Sequence, residues 1–375
     1  MVEVGMTRKI LVTGAHGFVG TNLSIYLNEL TNTDVLTFGR DDSLKALENL
    51  VSKADFIIHL AGENRPANPK AFNQVNTELT RTLTDVIQKT GRNIPLILTS
   101  SVQATNDSAY GKSKLASETV VKEYGKRTNN SVSIYRLPGI FGKWCKPNYN
   151  SVVATFCYNI ARGLPIEISD PSFKLNLVYI DDLIHDFLRL LENFTPGVSE
   201  RKLTQTYDIT LGELESKINS FENGRQNLVV ENVGVGITRA LYATYISYLP
   251  VEKFSYEVPK YDDKRGSFVE MLRTPESGQI SFFTIQPNTT RGSHYHHSKT
   301  EKFLIIKGLA QLKFRHLITN EKYAVTVSGV EPTIVDSIPG WVHDITNIGD
   351  SEACVVLWAN ELFDRDRPDT IAQEV

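Results

Sequence analysis

From Lys9 to about Leu191, short apolar runs alternate with longer amphipathic segments. The apolar runs have the length of strands, and the segments between them have the length and spacing of helices. The predicted strands are Ile10–Val12, Asp34–Phe38, Asp55–Leu60, Pro95–Ser100 and Val132–Arg136. Strands joined through helices form right-handed βαβ crossovers, which build a mostly parallel sheet covered on both faces. The first part of the chain is therefore predicted to be a doubly wound α/β domain.

The pattern changes after Pro250, where short β-rich segments are separated by turn residues. The predicted strands here are Gln279–Ile285, Lys302–Ile306, Ala310–Arg315, Thr333–Val335 and Ala353–Trp358. Such a run of short strands indicates an all-β sandwich or barrel. Prolines interrupt any helix between Tyr248 and Tyr261, so the predicted domains are residues 1–248 and 249–375.

Composition excludes several classes of protein. A net charge of -3 gives no support for a nucleic-acid partner, and a small-molecule substrate is expected instead. The three cysteines are far apart and form no C-x-x-C pair, which excludes a disulfide framework and a thiolate zinc site. No apolar run is long enough to span a bilayer, and the strand at Lys9–Thr13 leaves no room for a signal peptide. We therefore expect a cytoplasmic protein without a membrane partner.

The first predicted strand runs into glycines at a G-x-x-G-x-x-G spacing, Gly14, Gly17 and Gly20. Glycine lets the backbone turn tightly and approach a pyrophosphate, and the following helix directs free N–H groups at the anion. The spacing predicts a dinucleotide site, although a glycine turn without a ligand is the alternative. The same turn also contains His16, Phe18 and Val19.

The end of the second predicted strand indicates which dinucleotide binds. Arg40 stands where NAD-selective domains usually carry a carboxylate for the ribose hydroxyls. An arginine suits a 2'-phosphate, so NADPH is the predicted cofactor. Asp41 and Asp42 follow directly, and the alternative is a surface arginine beside a turn.

A Tyr-x-x-x-Lys pair, Tyr110 and Lys114, follows the fourth predicted strand, which ends at the hydroxyls of Ser100 and Ser101. The pair shares one helical face. The ammonium is predicted to favour the phenolate and bring the pKa of Tyr110 nearer neutrality, so that Tyr110 protonates an alkoxide after hydride transfer. A solvent-facing pair without function is the alternative. The nicotinamide is expected against the loop Leu60, Ala61 and Gly62.

With these motifs, and with Tyr135–Gly139 and Val178–Asp182, the first part of the chain resembles the extended short-chain dehydrogenase/reductase family. The resemblance implies a Rossmann-like fold, nucleotide-sugar substrates, Tyr110 as the acid and Lys114 as its partner and ribose ligand. It also implies a serine hydroxyl that polarises the substrate carbonyl, but it leaves open whether Ser100 or Ser101 supplies it.

Four of the eight histidines lie in two short stretches near the end of the chain. His294 and His296 point to one side of an extended strand, and Glu301 and His343 can approach from other strands. Three imidazoles and a carboxylate predict a site for zinc or another divalent transition metal. The alternative is a histidine-rich hairpin with no physiological metal.

These stretches fit H-x-H-x4-E-x6-G and P-G-x-x-H-x3-N, so the second part of the chain resembles the cupins. The resemblance implies a β jelly-roll barrel with the metal inside. Lys264–Glu270 and Arg291–His294 are also similar to segments of deoxysugar 3,5-epimerases. That similarity implies removal and return of the hydrogen on C3 of a 4-keto sugar.

The two resemblances conflict at one residue. The epimerases use the histidine aligned with His294 as a base, whereas the cupin pattern makes it a ligand. His297 is the spare imidazole, which is either the base or a replacement ligand. Arg265 and Arg291 are expected to bind the substrate diphosphate, although exposed arginines without a specific role are the alternative.

The combined domains resemble bifunctional enzymes that make nucleotide-sugar precursors of capsules. That resemblance implies C3 epimerisation of a UDP-4-keto-2-acetamido-2,6-dideoxyhexose and NADPH reduction at C4. The implied product is UDP-2-acetamido-2,6-dideoxy-L-talose, a precursor of N-acetyl-L-fucosamine, and the implied assembly is a homodimer. Two rival hypotheses are a single-activity reductase with an assembly-forming cupin, and a non-enzymatic nucleotide-sugar sensor.

Overall fold

A computed structural model describes residues 7–66, 68, 70–364, 366 and 368–375. It divides into two compact units, one formed by residues up to Ile218 together with Ala243–Tyr248, the other by Asn219–Tyr242 together with Leu249–Val375. The predicted boundary after residue 248 assigned 219–242 to the first domain. The structure groups this segment with the second unit, where Val230 N–H donates to the carbonyl of Arg273 at 2.8 Å.

The strands of the first unit form one parallel sheet and one smaller mixed sheet. They are β1 (Arg8–Thr13), β2 (Thr33–Phe38), β3 (Phe56–His59), β4 (Leu96–Ser101), β5 (Val132–Leu137), β6 (Gly139–Phe141), β7 (Lys174–Tyr179), β8 (Val198–Arg201) and β9 (Tyr207–Thr210). Six of them form one sheet in the order β2-β1-β3-β4-β5-β8, with every pair parallel. β6, β7 and β9 form a separate three-stranded sheet, in which β9 is antiparallel to β7.

Helices follow strands of both sheets. They are α1 (Phe18–Asn28), α2 (Leu44–Lys53), α3 (Leu79–Lys89), α4 (Ala109–Thr128), α5 (Val152–Ile160) and α6 (Ile180–Leu191), with a π-helix at Phe72–Glu78 and a 3-10 turn at Val102–Thr105. Two further helices, α7 (Leu211–Asn227) and α8 (Gly236–Ser247), contribute to both units. One face of the sheet packs through Leu11, Ile57 and Leu96 against apolar side chains of α2, α3 and α4. All six residues of β4 are buried, as expected for a strand covered on both faces.

The second unit contains a 3-10 turn at Val251–Lys253 and short strands. The strands are β10 (Lys260–Asp263), β11 (Gly266–Thr274), β12 (Gly278–Ile285), β13 (Thr290–Tyr295), β14 (Glu301–Lys307), β15 (Leu309–His316), β16 (Lys322–Ser328), β17 (Ile334–Asp336), β18 (Trp341–Asn347), β19 (Ala353–Ala359) and β20 (Ile371–Ala372). They form two antiparallel sheets, β10-β11-β12-β19-β14-β17 and β16-β15-β18-β13-β20.

The two antiparallel sheets share one apolar core. One sheet contributes Phe283, Phe303 and Val355, and the other contributes Leu312 and Ile345. Two sheets packed face to face are a β-sandwich of the jelly-roll kind. The predicted fold, a doubly wound parallel sheet followed by an all-β domain, is confirmed.

Candidate functional sites

β1 runs directly into the glycine-rich turn, and two of its glycines stand where a side chain does not fit. Gly14 has a φ of 70°, and a Cβ there would lie 2.7 Å from the backbone nitrogen of Ala61. A Cβ on Gly20 would lie 2.2 Å from the carbonyl oxygen of Gly14. α1 begins at Phe18 with Gly17 as its N-cap, and no described side chain caps it. The first N–H groups of α1 therefore suit an anion such as a pyrophosphate.

Arg40 and His16 lie at the neighbouring strand end. Arg40 follows β2 with 85% of its side chain exposed, and its guanidinium pairs with Glu63 at 3.0 Å. The exposed His16 places its ring beside the backbone at Gly39, while Phe18–Val19 is half-buried at the start of α1. Both exposed groups thus border the place where this fold binds the adenosine ribose.

The predicted catalytic residues of the first unit meet at the start of α4. Ser108 caps this helix and fixes where it begins. The hydroxyl of Tyr110 hydrogen-bonds with Ser101 at the end of β4. Lys114 is buried, donates to the carbonyl of Thr99 at 3.0 Å, and holds its nitrogen 6.0 Å from the ring centroid of Tyr110. The structure therefore brings a serine, the tyrosine and the lysine into one site.

The two serines at the end of β4 point in opposite directions, as neighbouring strand residues do. Ser100 donates to the buried carboxylate of Glu118 at 2.6 Å, two turns beyond Tyr110 along α4. Arg136 holds the same carboxylate with two hydrogen bonds of 2.8 and 2.7 Å. Ser100 thus belongs to a structural ion-pair cluster, and the geometry favours Ser101 as the hydroxyl of the site.

Lys114 does not change the pKa of Tyr110 as the sequence predicted. Burial raises the pKa of the Tyr110 hydroxyl, and the hydrogen bond with Ser101 only opposes that rise. Burial also lowers the pKa of Lys114 to about 8, against the opposing charge of Glu118. The prediction of a lowered tyrosine pKa is wrong, because desolvation of the phenolate outweighs the attractions around it.

A buried polar cluster lies beside this site. The ring of His59 lies 2.6 Å from the hydroxyl of Thr13 and 2.9 Å from that of Thr80. Burial, followed by the charge of Lys114, lowers the pKa of His59 to about 3, so this imidazole is neutral. The loop of Leu60, Ala61 and Gly62 follows, and a Cβ on Gly62 would lie 3.2 Å from the Lys114 nitrogen. His59 was assigned no role of its own from the sequence, although a histidine at the end of an apolar strand was the available signal.

The second unit brings together the four predicted metal ligands, His294, His296, Glu301 and His343. One donor atom from each lies within 4.8 Å of the others. They come from β13 and its end, from β14 and from β18. The Nε2 atoms of His296 and His343 lie 3.2 and 3.4 Å from the same oxygen of Glu301.

The chemistry of this cluster fits a divalent transition metal. Both ring nitrogens of the buried His343 lack a hydrogen bond within the described residues, which is unusual for buried polar atoms. Burial, followed by the charge of His343, lowers the pKa of His294 to about 4, so the imidazole is neutral. Neutral imidazoles with one carboxylate are donors that zinc prefers.

His297 lies outside this cluster. Its side chain is exposed, and its ring centroid lies 5.5 Å from that of Tyr295. The rings of His294 and His296 lie 4.9 Å apart and form part of the cluster. The geometry thus places His294, and not His297, among the candidate ligands.

Arg265 and Arg291 are brought together by a shared carboxylate. Arg265 pairs with Asp263 at 2.6 Å, and Arg291 approaches the same side chain at 3.4 Å. The side chain of Arg291 is 13% exposed and lies over the ring of Phe283, whereas that of Arg265 is 50% exposed. Asp263 therefore offsets part of the positive charge expected to bind a diphosphate.

Comparison with known proteins places this geometry in a family. The profile of the NAD dependent epimerase/dehydratase family matches residues 10–204, and that of the polysaccharide biosynthesis C-terminal domain matches residues 261–371. A full-length relative is 49% identical over 367 residues, covering 98% of this chain and 99% of its own length. The chain belongs to the NAD dependent epimerase/dehydratase family. That relative is the UDP-2-acetamido-2,6-beta-L-arabino-hexul-4-ose reductase of Pseudomonas aeruginosa.

Two solved structures are similar to this chain. The crystal structure of the capsular polysaccharide assembling protein CapF from Staphylococcus aureus is 40% identical, with a TM-score of 0.90 over 98% of this chain and 100% of that one. The Bordetella bronchiseptica enzyme WbmF, in complex with NAD+ and UDP, is 18% identical, with a TM-score of 0.56 over 64% of this chain and 92% of its own. The latter likeness shows the fold alone.

These comparisons confirm the predicted resemblance to capsule-precursor proteins of the CapF type and the expectation of an enzyme that acts on a nucleotide sugar. Membership of the NAD dependent epimerase/dehydratase family supports a nicotinamide cofactor. Among the helices of the described residues, none combines the length and apolar character needed to cross a bilayer.

Proposed function

We propose that the chain is a bifunctional nucleotide-sugar enzyme whose second unit epimerises C3 and whose first unit reduces C4 of the same substrate. The proposed substrate is a UDP-4-keto-2-acetamido-2,6-dideoxyhexose and the product UDP-2-acetamido-2,6-dideoxy-L-talose, a precursor of N-acetyl-L-fucosamine for surface polysaccharide. The full-length likeness to a UDP-hexulose reductase supports the substrate class. The arrangement of Ser101, Tyr110 and Lys114 in one site is the observation that supports a carbonyl reduction.

In the proposed reduction, Ser101 and Tyr110 hydrogen-bond the C4 carbonyl oxygen and thereby polarise it. NADPH, when bound, supplies the hydride to C4. Tyr110 then donates its phenolic proton to the alkoxide oxygen, which its raised pKa permits because the hydroxyl is protonated at neutral pH. Lys114 orients the cofactor ribose from its buried position and provides a positive charge near the reacting oxygen.

In the proposed epimerisation, a base removes the C3 hydrogen, which the neighbouring 4-keto group makes acidic, and a proton derived from solvent then returns to the opposite face of C3. His294, His296, Glu301 and His343 would hold a divalent ion, zinc by the donor set, which supplies Lewis-acid stabilisation of negative charge on the substrate oxygen. Arg291 and Arg265 would bind the diphosphate.

His297 is retained as the proposed base, although its exposed ring lies outside the ligand cluster. His297→Gln tests this assignment directly. Loss of solvent exchange at C3 with unchanged zinc content supports it, and unchanged exchange removes His297 from the mechanism.

Three finer assignments complete the proposal. Arg40 is exposed at the end of β2, which supports NADPH over NADH. A homodimer is supported by exposed apolar side chains on the outer face of the sheet containing β12, β14 and β17, where Phe282, Ile306 and Ile334 are 37%, 51% and 60% exposed. Substrates of this class are made in the cytoplasm, which is the proposed location.

The test is the NMR spectrum of the product formed from the UDP-4-keto-6-deoxy amino sugar. C4-deuterated NADPH in ordinary water reports the reduction, and unlabelled NADPH in heavy water reports exchange at C3. Deuterium at both positions is expected. Label at C4 with an unexchanged C3 would leave a single-activity reductase with an assembly-forming cupin, and no turnover would favour a sensor.

A further inference from the structure

The end of the chain forms an edge strand beside the candidate metal ligands. β20 pairs with β13 so that Ala372 stands opposite His294 and Ile371 opposite Tyr295. The pairing continues as Gln373 N–H donates to the carbonyl of Ser293 at 3.0 Å. The strand that carries the first candidate ligand is thus held between β18 and the C-terminal segment.

The residue just before this strand organises the turn between two of the ligands. The carboxylate of Asp369 accepts backbone N–H bonds from His297, Ser298 and Lys299, each at 2.9 Å. Burial would raise the pKa of Asp369, but these hydrogen bonds outweigh it and lower the pKa. A carboxylate that accepts three main-chain N–H bonds fixes both the turn and its own backbone.

The backbone carbonyl of Asp369 in turn contacts a ligand side chain. Its oxygen lies 2.6 Å from Nδ1 of the buried His296. A carbonyl oxygen only accepts, so Nδ1 carries a proton, and Nε2 is the ring nitrogen that faces Glu301 at 3.2 Å. Partners of this kind fix the tautomer and ring orientation of metal-binding histidines.

A second contact reaches the same carboxylate ligand. The buried Lys299 lies 3.1 Å from the hydroxyl of Thr370 and 3.8 Å from Glu301. The ring of Phe363 lies 5.7 Å from the same ammonium. The C-terminal segment therefore contacts the surroundings of both His296 and Glu301.

We propose that the segment Asp369–Gln373, the C-terminal clasp, sets the metal affinity of the cupin unit, with Asp369 as a positioning residue for His296. Asp369 anchors the carbonyl that selects the Nδ1-protonated form of the imidazole, and β20 holds the strand that carries His294. This inference rests on the proposed metal site. It adds a structural role for the end of the chain that the ligand pattern alone does not contain.

The test compares Asp369→Ala with Asp366→Ala in the full chain. Asp366 is an exposed carboxylate three residues before Asp369, so its replacement removes the same charge but keeps the hydrogen bonds of Asp369 to the turn after His296. Zinc affinity is measured by competition with a chromogenic chelator, and the shift of the melting temperature with zinc is recorded in parallel. We expect Asp369→Ala to bind zinc about 10- to 100-fold more weakly and Asp366→Ala to match the wild type.

The outcomes separate this inference from the metal site itself. A wild type that binds no zinc refutes the proposed site and the inference with it. A wild type and Asp369→Ala that bind zinc equally tightly refute only the clasp.

A measurement on the zinc-loaded wild type avoids any dependence on the folding of a variant. The nitrogen chemical shifts of His296 are expected to show the proton on Nδ1. A proton on Nε2 would overturn the inference.

Discussion

Replacing Lys114 with methionine is expected to stabilise the first unit near neutral pH while abolishing reduction. Burial lowers the pKa of this lysine from 10.5 to about 8. At about 1.36 kcal/mol per pKa unit, holding the ammonium charged inside the fold costs about 3.4 kcal/mol. The variant also loses the hydrogen bond to Thr99, worth about 1.5 to 3 kcal/mol for a charged donor. The expected net gain is therefore about 1 kcal/mol.

The lowered pKa of Lys114 also determines how the stability of the wild type changes with pH. Between pH 8 and 10.5 the unfolded chain keeps the proton that the folded chain has released, so the wild type gains stability as pH rises through this window. The free energy of unfolding of Lys114→Met should exceed that of the wild type at about pH 7. This difference should shrink as pH rises and change sign by about pH 9.5. A difference between the two proteins that does not change with pH would refute the argument from burial.

Scanning calorimetry measures this difference. The transition of the first unit is identified as the one that NADPH shifts upward, because a ligand stabilises only the unit that binds it. Lys112→Met is the matched control, since Lys112 lies on the same helix with 67% of its side chain exposed. Its free energy of unfolding should stay within about 0.5 kcal/mol of the wild-type value at about pH 7 and at about pH 9.5.

Three further predictions address individual groups. Ser101→Ala should lower kcat for C4 reduction by about 100-fold or more, whereas Ser100→Ala should keep kcat and lose about 1 to 3 kcal/mol of stability from the Glu118 cluster. Steady-state kinetics and urea unfolding distinguish them, and an equal loss of kcat in both would contradict the assignment. Arg40→Ala should raise KM for NADPH about tenfold or more and leave KM for NADH nearly unchanged; parallel increases would exclude a 2'-phosphate contact. Metal removal by a chelator should end deuterium exchange at C3, followed by NMR, while a substrate already epimerised at C3 is still reduced. Loss of both activities would show that C4 reduction also requires the ion.

Much of the fold was predictable because the hydrophobic pattern follows the burial of the strands. Val132–Arg136 was predicted as a strand and forms Val132–Leu137, and Ala353–Trp358 forms Ala353–Ala359. β13 lacks an apolar strand pattern, since its sequence is TRGSHY. Its pairing with β18 is also interrupted by a bulge between Gly292 and His294. The position of 219–242 depends on hydrogen bonds to a distant strand, and local sequence does not encode them.

The candidate sites were predictable where spacing alone determines proximity. Tyr110 and Lys114 meet because they lie one helical turn apart, and the four candidate ligands were found from the spacing of two short stretches. The choice between Ser100 and Ser101 required the direction of each side chain at the end of β4. Asp369 lies far along the chain from His296, and no periodicity links them.

Two candidate site residues, Lys114 and His343, stand in surroundings that disfavour folding. Lys114 is a charge buried away from water, and the buried nitrogens of His343 lack hydrogen bonds within the described residues. A chain selected for stability alone would replace the first with an apolar side chain and the second with a hydrogen-bonded one. Within β4 the local pattern and the observed burial agree, whereas Lys114 and His343 depart from such agreement, as expected of residues kept for a function. The Lys114→Met experiment tests that view, since it predicts a more stable first unit that no longer reduces its substrate.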